Sequence, residues 1–350
     1  MNECLRRTLA KRIMVGMSDM VTRIKEKTES YVVLYPEFNE LADKQLEKCF
    51  WTHSEIKVEK DKQDLMTELS PAEYHAVTTA LKLFTKYELR VGCDYWLGRV
   101  FNTFQRPEVQ RMAACFGNVE LNVHAPFYAK INEVLGLATD EFFTSYVDDP
   151  VLNDRIKHID SLVDVEDDAQ SIACFSIVET AILYTSFALF KHFQSNGKNL
   201  LMSLVRGINQ SAIDENLHGV GGALLFRTLV KEENRTPEEM QQLYTKINEA
   251  ALSLYKHEER IIEMFFSKGK ITGITEHQMQ EFAKSRINVA LENLGMPKMF
   301  DVKYNPIADW FYDGLNKFQF NDFFTSVGRE YTRDWDADGF CKAVLDYKGE

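Results

Sequence analysis

The stretch from Ile172 to Phe190 constrains this chain more than any other: 19 mostly apolar residues in which Glu179 is the only charge. Length alone would let such a run cross a bilayer. A carboxylate at mid-span would be costly in lipid, and Ser176, Thr180, Thr185 and Ser186 dilute the run further. No second segment of this kind occurs in the sequence. The run is therefore read as a core helix buried on every side. Such a helix needs other helices around it, and a reason for a carboxylate at its centre.

Helical patterns that could enclose it run over Pro71–Arg99, Arg106–Leu135, Asp168–Gln194, Leu200–Lys231, Pro237–Phe266 and Glu276–Leu294. Turn chemistry separates them at Gln105-Arg106-Pro107, Asp148-Asp149-Pro150, Ser195-Asn196-Gly197 and Asn234-Arg235-Thr236-Pro237. The last is a helix start, with Thr236 as N-cap, Pro237 in the first turn and Glu238-Glu239 at the positive end of the dipole. Strand-like alternation is scarce, and no repeat stands out. The expectation is an all-α protein.

Composition narrows the function. At 350 residues the chain can bury a large core. Its formal charge is −12 and it has no long Lys/Arg block, which argues against direct binding of nucleic acid. Cys4, Cys49, Cys93, Cys115, Cys174 and Cys341 are scattered, with no C-x-x-C pair. That argues against a disulfide framework or a structural zinc site and fits a reducing, cytoplasmic setting. Arg6, Arg7, Lys11 and Arg12 precede no apolar segment, so a signal peptide is not expected, while a basic transit segment stays open.

Four helical segments carry carboxylates on apolar backgrounds. Glu88 lies in Leu83–Leu89, Glu120 and His124 in Val119–His124, Glu179 alone in its apolar run, and Glu215 and His218 in Asp214-Glu215-Asn216-Leu217-His218. Singly these are weak signals, since a Glu-x-x-His arises by chance and a lone buried Glu more often pairs with Arg or Lys. Together they supply four carboxylates and two imidazoles in the order Glu, Glu/His, Glu, Glu-x-x-His. That is the pattern of ferritin-like di-iron and di-manganese carboxylate proteins. Four carboxylates balance two divalent cations, and the same acids buried without metal would be very unfavourable. Carboxylate and imidazole suit Fe and Mn, and without a set of thiolates zinc or an Fe–S cluster is disfavoured.

The run Phe116-Gly117-Asn118-Val119-Glu120, followed by His124-Ala125-Pro126-Phe127-Tyr128 and Asn132, resembles the metal-and-radical helix of class I ribonucleotide reductase small subunits. Glu179–Phe187 resembles the third metal helix of that family. Asp214-Glu215-Asn216-Leu217-His218 matches its Asp-Glu-x-x-His motif, and Phe50-Trp51 and Asn305-Pro306-Ile307 match as well. The resemblance covers roughly residues 45–330. It implies a ferritin-like helical bundle with additional helices over 1–325, the N-terminal segment 1–45 least defined, and a flexible tail over 326–350.

The resemblance also implies a role for each residue. Glu88, Glu120, His124, Glu179, Glu215 and His218 would hold two metal ions, read first as Fe/Fe with Mn/Fe or Mn/Mn open. Tyr128 would carry a radical that Trp51 and Asp214 relay outward to a tail aromatic, Tyr331 first and Trp335 or Tyr347 next. Leu183 and Phe187 would help form a dry shell. Partners would be a large catalytic subunit, which reduces the ribonucleotides, and a second copy of the chain; neither a membrane nor nucleic acid is implied. A ligand-binding Mn/Fe oxidase of the same fold is the runner-up, and iron storage is a distant third.

The chain departs from the family pattern twice. Glu88 stands where the family has Asp, and four residues rather than three separate Glu120 from His124. Three helical steps give about −60° and four about +40°, so either spacing keeps the pair on one face. A local π-bulge would absorb the extra residue, leaving Glu120 rather than Leu121 beside the metal.

Overall fold

A computed structural model describes residues 22–313, which are helical with no β-strand. Segments 1–21 and 314–350 lie outside the described residues, and with them Cys4, Cys341, Tyr331, Trp335, Tyr347 and the whole of the expected tail. Helix α1 spans Pro36–Glu47 and buries Phe38, Leu41, Ala42 and Gln45, one stripe at helical spacing. Helix α2, Pro71–Arg90, starts at a capping box in which Ser70 and Glu73 satisfy each other's backbone N–H, and runs on as a π-helical segment over Val91–Val100. Helix α3 comprises Pro107–Val119, a π turn over Glu120–His124, and Ala125–Val134. Then come α4, Asp140–Asp148, and α5, Pro150–Val163. Helix α6 comprises Asp168–Ile177, a π turn over Val178–Ile182, and Tyr184–His192. Helices α7, Met202–Glu233, α8, Pro237–Phe266, and α9, Glu276–Asn293, complete the bundle.

All six helical spans expected from the pattern are present; α1, α4 and α5 are additional. Asp149-Pro150 ends one helix and starts the next, because the Asp149 carboxylate caps α5 by accepting from the N–H groups of Val151 and Leu152. Helix α7 has no cap of its own: Leu201 sits in the left-handed region at φ 55°. Its free N–H groups are taken by distant side chains, Asp61 accepting from Ser203 (3.1 Å) and Leu204 (2.6 Å), and Asp64 from Leu201 (2.9 Å).

Helix α6 holds an 18-residue stretch apolar enough to cross a bilayer, with mean hydropathy 1.7, yet that stretch is buried inside the protein. Helices α7, α8 and α9 pack along it. The approach of α7 is close enough that a side chain at Gly219 would put its Cβ 2.1 Å from Thr180 Oγ1, so only glycine fits there. Ser176 Oγ donates to the Gly219 carbonyl across the same seam (2.8 Å).

A buried ion pair ties four helices together. Arg155 on α5 and Glu258 on α8 are each 1% exposed and hydrogen-bonded to one another. The Arg155 Nε–H also donates to Tyr87 Oη on α2 (3.0 Å), and Thr185 on α6 donates to Glu258. Removing one partner leaves the other charge buried and unpaired. Arg155→Met should therefore lower the unfolding free energy of the metal-free protein by about 3–5 kcal/mol in urea titrations. A loss below about 1 kcal/mol would show that the pair does not hold the helices together.

Candidate metal centre

Glu88 lies in the last turn of α2, Glu120 and His124 open and close the π turn of α3, Glu179 is the second residue of the π turn of α6, and Glu215 and His218 sit one turn apart on α7. The fold brings all six together, each at most 2% exposed. They form two overlapping groups, Glu88, Glu120, His124 and Glu215 in one and Glu120, Glu179, Glu215 and His218 in the other; within each, the ligand atoms lie within 4.8 Å of one another. Glu120 and Glu215 belong to both groups, while each group adds one carboxylate and one imidazole of its own. His124 Nδ1 lies 3.1 Å from Glu120, 3.2 Å from Glu215 and 3.6 Å from Glu88. His218 Nδ1 lies 2.7 Å from Glu120, 3.5 Å from Glu179 and 3.7 Å from Glu215. The longer Glu88 side chain still reaches the cluster.

The extra residue between Glu120 and His124 is taken up by the π turn, whose i→i+5 bonding accommodates one more residue than an α turn. Both side chains stay on the inner face, and Leu121 is left outside the cluster. The bulge presses on the neighbouring π segment at Gly92, where a Cβ would lie 2.9 Å from Leu121 Cγ and 3.0 Å from Glu120 Cβ. A larger residue at position 92 would push against the turn that carries Glu120.

The charges in the cluster are strongly coupled. Burial, reinforced by Glu120 beside Glu88 and by Glu215 beside Glu179, pushes the Glu88 and Glu179 carboxyls well above the usual range. Burial opposes ionisation of Glu120 and Glu215 too, but the two imidazoles outweigh it and hold both low. Burial likewise disfavours charged imidazoles, yet the facing carboxylates raise His124 and His218 well above the ordinary histidine value. The two lowered carboxylates thus face the two raised imidazoles, and Glu88 and Glu179 hold their protons more tightly than free carboxyls do.

Outside the six lies a hydrogen-bonded layer. Asp214 Oδ2 accepts from His124 Nε2 (3.0 Å) and from Trp51 Nε1 (2.7 Å), while Asp214 Oδ1 accepts from the Gln45 amide (2.9 Å). Gln45 Oε1 in turn faces His218 Nε2 (3.2 Å), so one chain fixes the outer nitrogens of both imidazoles and leaves each Nδ1 aimed inward. The pattern of carboxylates and imidazoles gave no sign of Gln45, because nothing in a lone amide on an amphipathic helix marks it. Tyr128, one turn beyond His124, is 1% exposed and its hydroxyl is buried without a well-aligned hydrogen bond. Its ring stacks on Phe84 (4.4 Å, 11°), which stacks on Phe187 (5.5 Å). Burial, then the charge of Glu88, pushes its phenol well above 10. Phe187 and Leu183 are both buried. Phe84, hidden among ordinary core aromatics in the sequence, covers Tyr128 directly.

The donor set fits a pair of metal ions. Oxygens of Glu88, Glu120, Glu179 and Glu215, and His218 Nδ1, are buried close to one another without a well-aligned hydrogen bond, an arrangement that cations would satisfy. All the donors are carboxylate oxygens and imidazole nitrogens, the types that suit Fe and Mn.

The profile of the family described as "Ribonucleotide reductase, small chain" matches residues 29–306. A probable ribonucleoside-diphosphate reductase small subunit of Invertebrate iridescent virus 3 is 27% identical over 313 residues, covering 83% of this chain and 81% of that one. Among solved structures, a putative class I ribonucleotide reductase of Bacillus halodurans superposes with a TM-score of 0.71 at 23% identity, over 80% of this chain and 100% of the other. The dimanganese(II)-NrdF of Streptococcus sanguinis superposes with a TM-score of 0.70 at 20% identity, over 81% and 97%. These two likenesses establish the helical fold. Because the profile spans most of the sequence and encloses all six clustered residues, the chain belongs to the ribonucleotide reductase small chain family.

Proposed function

We propose that this small chain generates a radical on Tyr128 and delivers it to a large subunit that reduces ribonucleoside diphosphates to deoxyribonucleotides. The observation that carries the reading is the pair of four-residue groups sharing Glu120 and Glu215, with Tyr128 one turn away. Glu88 and His124 would hold one ion, Glu179 and His218 the other, and Glu120 and Glu215 both. Bound there, the pair, read as Fe/Fe first with Mn/Fe or Mn/Mn as alternatives, would supply the one-electron oxidising chemistry. Tyr128 stays a neutral phenol until then, because burial and the nearby Glu88 oppose ionisation, so its electron and proton leave together. Phe84, Phe187 and Leu183 exclude water from the oxidised ring.

The route outward runs through His124, Asp214 and Trp51, joined by hydrogen bonds of 3.0 and 2.7 Å. Trp51 is 2% exposed and follows Phe50, which is 51% exposed, so the chain of contacts ends just beneath the surface. From there Tyr331, within the tail 326–350 that docks the large subunit, would carry the radical on. Such a relay has no use in an oxidase acting on a bound ligand. The protein is read as a homodimer of the cytoplasm.

Loading the metal-free protein with Fe(II) under nitrogen and admitting oxygen should give a tyrosyl signal in electron paramagnetic resonance that is absent from Tyr128→Phe. A persistent signal in that variant would move the radical to another tyrosine. Asp214→Ala should lower activity with the large subunit, or metal affinity, by about 10–100-fold. Wild-type values for both would remove Asp214 from the relay and from the support of His124.

Metal loading should also release protons. Glu88, Glu179, His124 and His218 all hold protons more tightly than usual, so binding of divalent ions by these groups should displace protons. Since these groups titrate above their usual values, apparent affinity should rise with pH. Calorimetry in buffers of different ionisation enthalpy measures the release; pH-independent binding without it would contradict the charge state described above.

A further inference from the structure

Two π turns of the metal helices carry ligand residues of the proposed site, and a π turn leaves carbonyls outside the regular i→i+4 ladder. On α3 the Asn122 carbonyl is met by the half-buried His53 ring at 3.3 Å. On α6, where water has no access, the Thr180 carbonyl is met by Arg286 of α9, with Nε at 3.0 Å and Nη2 at 2.6 Å. Thr180 directly follows Glu179. Arg286 is itself 1% exposed. Its guanidinium carbon lies 3.7 Å from the centre of the Tyr184 ring, and Nη1 donates to Tyr312 Oη at 2.7 Å. The planar fork is thus held by a carbonyl, an aromatic face and a phenol, and its N–H groups serve no carboxylate in these contacts.

We propose that Arg286 is a positioning residue for Glu179: by capping the Thr180 carbonyl it holds the π turn open and so sets where the Glu179 carboxylate sits. The proposal rests on the reading of Glu179 as a metal ligand. Closing the turn into regular α-helix would shift the register by one residue, a rotation of about 100° between Glu179 and the part of α6 that follows. That following part carries Phe187, which stacks on Phe84, the ring that covers Tyr128. Glu179 would then swing away from His218. Arg286 therefore keeps one metal position in register with the tyrosine shell, and Tyr312 and Tyr184 keep Arg286 in place.

The test uses the full chain and Mn(II) alone, followed by electron paramagnetic resonance, with thermal melting of the metal-free protein alongside. Arg286→Met should melt as a folded protein and weaken the position shared by Glu179 and His218 by about 10–100-fold. The position of Glu88 and His124 should be spared, so that at limiting Mn(II) the spin-coupled pair gives way to a single-ion signal. Arg286→Lys, which keeps one donor, should recover part of the pair. Wild-type affinity at both positions in Arg286→Met overturns the proposal, and so does equal weakening of both. Glu179→Ala separates the two readings: if it binds two Mn(II) ions normally, Glu179 is not a ligand, whatever Arg286 does. Should Arg286→Met fail to fold, Tyr312→Phe and Arg286→Lys decide: both should bind the pair more weakly than wild type, and wild-type strength in both overturns the proposal.

Discussion

Four carboxylates and two imidazoles share one dry space at the middle of the bundle, and the surrounding helices are arranged to make that tolerable. A buried charge is very costly unless it is paired, hydrogen-bonded or bound to metal. Here the carboxylates face imidazoles on their inner side, and the outer nitrogens of those imidazoles face Asp214 and Gln45. Glu120 and Glu215 reach both halves of the cluster, so neither half can move without the other. The apolar helix α6 supplies the dry wall, and the close approach of α7 at Gly219 brings Glu215 and His218 up to it.

Regular α-helices do not deliver all of these groups. The helices carrying Glu120, His124 and Glu179 widen into π turns at those residues, and α2 widens just after Glu88. A π turn interrupts the regular backbone ladder, and it persists where neighbours hold the altered geometry. Gly92 leaves room for the turn of α3, and Arg286 satisfies a carbonyl of the turn of α6. The departure in spacing between Glu120 and His124 is therefore absorbed in the backbone, and the cluster keeps both residues.

The aromatic surroundings divide between the two ends of the cluster. Tyr128, Phe84 and Phe187 form a buried stack in which the phenol has no well-aligned hydrogen bond, suited to keeping it neutral. Trp96 and Phe116 pack on His218 at 6.1 and 4.4 Å. Trp51 differs from both groups, since its indole N–H is bonded to Asp214 and its chain neighbour Phe50 is exposed. One path from the cluster to the protein surface is polar and hydrogen-bonded, whereas the tyrosine shell is apolar.

The helical class and the six clustering residues were legible in the sequence because both are local signals. Apolar periodicity marks helices, and a carboxylate with no reason to be in an apolar stretch, such as Glu179, stands out against its neighbours. The family motifs around Tyr128 and Asp214 were equally local. Gln45, Phe84 and Arg286 were not legible, since an amide, a phenylalanine and an arginine on amphipathic helices are ordinary until packing sets them against His218, Tyr128 and the Thr180 carbonyl. The start of α7, capped by Asp61 from over 140 residues away, was hidden for the same reason. The sequence by itself determined which residues had to meet, because burying them apart is too costly. Only the tertiary structure decided how they meet, because the π turns, the glycine contacts and the outer hydrogen bonds depend on which helix lies against which.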